Sequence, residues 1–253
     1  MNTAPSPNSR SLFKTFRAAA LIPLAVALSS FAAHAGSVTV LATTDIWLAG
    51  QPGGSSVMGN FGTDYAPANS PIVISVNGGD LLTFSNVVDS SGGVSVDGSC
   101  FDATPDAGVC YSDEYSFSPG PANGISLAYL PADALIGVFV AAGGPSGPTP
   151  AALDFTGVGG YSFLTLSPAL DQLFFIGDGL TGTGTGSVQQ FIAPAGTATL
   201  YLAVADSVGS SVGNVGYITA NVNDLSSVPE PGTLLPLGAG LLALLTLRRK
   251  AGR

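Results

Sequence analysis

Short runs of β-branched and aromatic residues recur along the middle of the chain, each bounded by clusters of Gly, Pro, Asn or Asp. The runs are SVTVLAT (37–43), PIVISV (71–76), LLTFSNV (81–87), ISLAYL (125–130), LIGVFV (135–140), QLFFIG (172–177), SVQQFIA (187–193), ATLYLAVA (198–205) and GYITANV (216–222). Their lengths suit strands, and NGGD, SGGVSVDG, GGPSGPTP and GDGLTGTGTG between them read as turns. TGTGTG (181–186) reads as part of a loop. Many short strands without a helical period predict an all-β fold, a β-sandwich or jelly roll over residues 36–225.

The two ends follow a different pattern. Arg10, Lys14 and Arg17 precede the apolar run AAALIPLAVAL (18–28), and Ala33-His34-Ala35 then offers a small-x-small cleavage site. That order predicts a signal peptide over residues 1–35, removed by signal peptidase after Ala35. At the other end, GTLLPLGAGLLALLTL (232–247) is a single apolar stretch followed by Arg248, Arg249 and Lys250. As a helix its length is about 24 Å, slightly under a hydrocarbon core of about 30 Å. The basic cluster is expected to stay cytoplasmic and to place the preceding domain on the far side of the inner membrane. Residues 226–253 are thus expected to form the chain's only membrane contact.

Charge sharpens this division. The 253-residue chain has 7 Lys and Arg, 16 Asp and Glu and a single His. All the basic residues and His34 lie in the terminal segments, and residues 36–247 hold every acid and no base. Such a domain repels phosphate backbones, so nucleic acid is excluded as a partner. Divalent cations and neutral ligands such as sugars remain compatible with it.

Pro229, Glu230 and Pro231 complete the C-terminal pattern. VPEPGTLLPLGAGLLALLTLRRK (228–250) closely resembles the PEP-CTERM sorting signal of Gram-negative bacteria, with tripeptide, apolar helix and basic tail in order. The resemblance implies recognition of the tripeptide by exosortase, an integral-membrane cysteine transpeptidase. The helix then parks the substrate beside that enzyme until it is removed. Prolines flanking Glu230 suit this, because they keep the segment extended and open to an enzyme. The expected destination is the cell envelope, outer surface or extracellular matrix.

Cys100 and Cys110, in SCFDATPDAGVCY, are expected to form one disulfide in an exported domain. Closing so short a loop contributes roughly 2.8 kcal/mol in the chain-entropy description. A metal centre would need further thiols or histidines, and a catalytic thiol would need a nearby base.

ALIGVFV (134–140), FFIGDG (174–179), FIAPAGTATLYLAVADS (191–207) and VGNVGYITANV (212–222) resemble the galactose-binding-like jelly roll. The likeness is closest to the bacterial calcium-dependent galactose lectins. It implies that Asp206, Ser210 and Asn214 hold calcium and sugar, with Gly213 and Ser210 replacing an Asn and a Thr of the pattern. On the residues alone, an Asp followed by a Gly/Ser/Asn loop can supply calcium with several oxygens, or can simply make turn hydrogen bonds. Trp47, near Asp45, is either a sugar-stacking platform or core.

Three classes of function follow. The first is a non-catalytic structural or adhesive envelope protein that contacts extracellular polysaccharide. The second is a calcium-dependent carbohydrate-binding module. The third is a glycoside hydrolase working with carboxylates alone, because triads, Schiff bases and arginine clamps all need residues that the domain lacks. Asp113 and Glu114 are adjacent and would face opposite sides of a strand, so no dyad stands out. The expectation is therefore that the protein is not an enzyme.

Overall fold

The computed structural model describes residues 35–59, 62–96, 98, 101–102, 104–106, 121–156 and 160–226. The signal segment before Ala35, Cys100, Cys110, Asp113, Glu114 and the whole of residues 227–253 lie outside the described residues.

The fold is all-β. A five-stranded sheet runs in the order β1 (Ala35–Leu41), β15 (Tyr217–Asp224), β5 (Leu81–Asp89), β13 (Gln190–Ile192), β9 (Thr165–Leu166). A four-stranded sheet runs β10 (Leu173–Phe175), β7 (Leu135–Ala141), β14 (Thr197–Val204), β4 (Ile72–Ser75). Among the described residues, three small pairs complete the set. They are the hairpins β2 (Ser56–Met58) with β3 (Thr63–Tyr65) and β11 (Leu180–Gly182) with β12 (Thr185–Val188), and the parallel pair β6 (Ala128–Tyr129) with β8 (Leu153–Asp154). Within the two main sheets every pairing is antiparallel except β13 with β9.

Alternation sets the registers. In β15, Ile218, Ala220 and Val222 are buried while Tyr217 is exposed, and β1 places Val40 opposite Ile218. A one-residue slip would turn this apolar set outward, which fixes the pairing. β7 departs from alternation, with Leu135 to Val140 all buried, so it reads as a continuous apolar run. Gly137 belongs to that run because a Cβ there would sit 2.8 Å from the Phe174 ring.

Four phenylalanines join the two sheets. Phe84 of β5 meets Phe191 of β13 edge to face at 5.3 Å. Phe191 meets Phe174 of β10 at 5.5 Å, and Phe174 stacks on Phe139 of β7 at 5.0 Å. This is sheet-on-sheet packing through a shared aromatic seam.

Two expectations change in detail. Of the run at residues 125–130, only Ala128 and Tyr129 are strand, because the Ser126 carbonyl accepts from the Trp47 indole and the Ser126 hydroxyl accepts from the Leu173 amide. The TGTGTG stretch, read as loop, lies mostly within the β11–β12 hairpin. Its turn is held by the Gly184 amide on Asp178 Oδ2 at 2.6 Å.

Phe174 is fully buried and touches rings from both sheets. Phe174→Ala is expected to destabilise the fold by about 3–5 kcal/mol, the range for emptying a large aromatic site. Denaturant unfolding of the two proteins measures the difference.

Candidate functional site: a loop held over buried carboxylates

β14 ends at Val204, and the chain reaches β15 through a loop that carries a short 3-10 turn, Ser211–Gly213. The three site residues expected from the sequence all lie on this loop. Asp206 and Asn214 come together: Asn214 Nδ2 donates to Asp206 Oδ2 at 2.9 Å and also to the Ala42 carbonyl at 3.1 Å. Asp206 Oδ1 accepts from the Ser207 amide. Ser210 precedes the 3-10 turn without capping it, and its Oγ is buried without a hydrogen-bond partner. Asn214 Oδ1 is buried and unpartnered as well.

Beneath the loop lie two acids that sequence reasoning did not pair. Asp45 caps the 3-10 turn Ile46–Leu48, its Oδ1 accepting from the Trp47 amide at 2.9 Å. Its Oδ2 accepts from the Gly209 amide at 3.0 Å. Asp64, in the middle of β3, accepts from the Ser211 amide through Oδ2 at 2.8 Å. Both residues are buried, and burial together with the facing Asp64 carboxyl pushes Asp45 well above the ordinary carboxylate range. Only the capping role of Asp45, ahead of IWL, has a local sequence signal. The pairing joins residues 19 apart through a hairpin made of two three-residue strands.

Close backbone approach makes this possible. A Cβ on Gly59 would lie 1.7 Å from the Val208 carbonyl oxygen, and one on Gly209 would lie 2.4 Å from the Gly59 nitrogen. Gly209 also has φ +69°, in the left-handed region that glycine tolerates best.

A second acidic region surrounds Asp89. Its two carboxyl oxygens are buried without hydrogen-bond partners, and its pKa is raised to about 7, chiefly by burial and then by the charges of Asp102 and Asp106. Asp106 is raised too, mainly by burial, although its Oδ1 accepts from the Asp178 amide at 2.7 Å. Asp178 in turn accepts from the Leu180 and Gly184 amides. Among the described residues, no three His, Cys, Asp or Glu side chains are grouped so as to hold a metal by themselves.

Trp47 is core. It is 3% exposed, and its Nε1 donates to the Ser126 carbonyl at 3.2 Å, so its ring face is not offered to a sugar. It lines a cavity of only about 10 Å³ with Ala128, Leu130, Ile136, Leu173 and Asp206. A groove of about 300 Å³ runs between the edge strands β1 and β4, lined by Ser37, Val38, Val73, Ile74 and Val222. Neither concavity collects the carboxylates into an open cleft.

The family model of the PEP-CTERM protein-sorting motif matches residues 227–250, which begin two residues beyond Leu225 and three beyond the end of β15. The match supports an exported protein processed by exosortase, and a cell-envelope or extracellular location. No curated protein and no solved structure matches the chain. Among the described residues, no helix is long and apolar enough to cross a membrane, and the C-terminal apolar stretch lies outside them.

The raised pKa values generate a pH dependence. The Asp89 carboxyl moves from an ordinary 3.8 to about 7 in the folded chain, so between those pH values the folded chain holds a proton that the unfolded chain has lost. The stabilisation is complete below about pH 4 and is lost as pH rises through 7. Asp45, Asp106 and Asp171 are shifted upward and act in the same direction, whereas exposed Asp154 is lowered by its bonds to Thr156 and acts in the opposite one. Thermal melts from pH 4 to 8 should therefore show a falling melting temperature. Asp89→Asn should flatten the decline, and an unchanged slope would contradict this assignment.

Proposed function

We propose that the sandwich is a non-catalytic structural or adhesive module, delivered by exosortase to the envelope or extracellular matrix, where it contacts polysaccharide. The observation that carries this reading is the sorting motif at residues 227–250, attached almost directly to the last strand of a domain without basic residues. The missing His, Lys and Arg support the non-catalytic part, since they remove the usual general bases and electrostatic clamps. The tail's removal converts a membrane-held precursor into a free or polymer-attached domain.

The test is processing in a host with and without exosortase. The wild-type chain is expected to lose its C-terminal tail and leave the inner membrane only when the enzyme is present. Glu230→Ala, or replacement of Pro229 and Pro231 by Ala, should leave the full-length form in the membrane. Equal processing of wild type and variants would remove the basis for the proposal.

A second reading is favoured by one contact, the Asp206–Asn214 pair across the loop. In it the domain is a calcium-dependent carbohydrate-binding module, with Asp206, Ser210 and Asn214 at the site and a galactose-binding-like jelly roll as its finer fold. Glycan-array binding in calcium, lost with chelator and with Asp206→Ala, is the expected result. Binding that survives the chelator would exclude this reading.

A further inference from the structure

The two sheets differ in what covers their outer sides. In β7, Ile136, Val138 and Val140 alternate with Gly137 and Phe139, which meet Phe174 inside the sandwich, yet all three are at most 1% exposed. The four-stranded sheet is therefore covered on both faces. The five-stranded sheet is open on its outer side. Ser37, Thr39 and Leu41 of β1 are exposed in alternation with half-buried Val38 and buried Val40, and Tyr217 is exposed at the start of β15.

Strand registers arrange these outward residues in rungs. Leu41 lies opposite Tyr217, and Thr39 lies opposite Thr219, which in turn faces exposed Val88 of β5. Ser37 lies opposite Asn221, which faces Ser85. Two rungs thus carry hydroxyls and an amide, and the end rung carries a phenol ring beside an aliphatic chain. Charge is missing from all three. The chain has 16 acids, but β1, β15 and β5 contain only Asp89 and Asp224, each the last residue of its strand. Both keep step with the buried positions, opposite Ile218 and Leu82.

This electrical character selects the partner. A polyanion is repelled by a domain that holds every acid and no base. A basic protein is drawn to the acidic loops and gains no ion pair on this face. A neutral polysaccharide meets matching chemistry, because its hydroxyls donate and accept as Ser, Thr and Asn side chains do. Desolvating neutral groups also costs far less than desolvating charges. Tyr217 adds an apolar ring with a polar tip, suited to the C–H face of a sugar. The positions repeat about every 6.8 Å along the strands and about 4.8 Å across them, so an extended chain is engaged at several points at once.

We propose that the outer face of the β1–β15–β5 ladder, from Leu41–Tyr217 to Ser37–Asn221–Ser85, docks a neutral polysaccharide. This rests on the reading above that the domain contacts polysaccharide, and it places the contact on the sheet. Binding there requires neither calcium nor Asp206.

Co-sedimentation of the full-length protein in detergent with insoluble cellulose, mannan or chitin, all in chelator, tests the surface, with anionic alginic acid as the contrast. We expect the wild type to sediment with at least one neutral polymer and to stay in solution with alginic acid. Thr39→Asp puts an unpaired charge beneath the polymer and should lower affinity at least about tenfold, whereas Thr39→Asn should bind as wild type. Tyr217→Ala should also weaken binding, and Asp206→Ala should leave it unchanged. Ser37→Asp serves as the charged variant if Thr39→Asp does not fold, which thermal melts report. Binding by the wild type that every face variant keeps would overturn this surface alone, and loss on Asp206→Ala or in chelator would return the contact to the 206–214 loop. No binding to any of the three neutral polymers would overturn both the surface and the polysaccharide contact, while leaving delivery by exosortase as it stands. Sedimentation with alginic acid would overturn the neutral specificity. A wild-type dimer that Thr39→Asp breaks would overturn the proposal in favour of a second copy of this chain on the face.

Discussion

The sandwich must accommodate its carboxylates without a single cationic side chain, because residues 36–247 contain no Lys, Arg or His. Burying a carboxylate under those terms requires donors from backbone amides, hydroxyls or side-chain amides. The loops are built to supply them. Asp45 gathers the Trp47 and Gly209 amides, Asp64 the Ser211 amide, Asp106 the Asp178 amide, and Asp178 the Leu180 and Gly184 amides. Asp171 likewise accepts from the Ser146 amide. Each acid therefore organises a turn around itself. Where burial outweighs the donors, at Asp89 and at Asp45, the acid holds its proton more tightly.

This solution divides the molecule into two kinds of structure. The sheets are held by apolar packing, with the Phe84–Phe191–Phe174–Phe139 seam crossing from one to the other. That contribution carries no titrating group. The loops are held by directional bonds to charged oxygens and respond to whatever changes that charge. Changes in pH act on these loops while the aromatic seam keeps the sheets together.

The sheets were legible in the sequence because period-two burial leaves a local mark. β1, β4, β5, β7, β10, β14 and β15 all fall on runs visible without a structure, and the all-β sandwich followed from their number and spacing. The hairpins at residues 56–65 and 180–188 did not stand out. Their strands are three or four residues long; the second is held by the Gly184 amide on Asp178, and the first is tied through Asp64 to the distant Ser211 amide. The site was legible in part. Asp206, Ser210 and Asn214 share a loop and could be read together, and the Asp206–Asn214 contact followed from that loop closing on itself. Asp45 and Asp64 sit on separate elements, and only tertiary packing at Gly59 and Gly209 brings them under it. Trp47 shows the opposite limit: a lone aromatic in a polar-looking segment could face either way, and its indole bond to Ser126 places it inside.

The position of β15 has a mechanical consequence. This strand is flanked by β1 on one side and β5 on the other, and the sorting motif begins three residues after it ends. A membrane or polymer that pulls on the chain beyond residue 226 thus pulls along the axis of an interior strand. Its ladders to both neighbours resist in shear, with many hydrogen bonds strained at once instead of one after another. Drag between β15 and its antiparallel neighbour β1, whose first residue Ala35 lies opposite Asn223, would peel that pair from one end. A domain tethered by its tail is strong against load borne by the body of the sandwich and weak against load applied between its two ends.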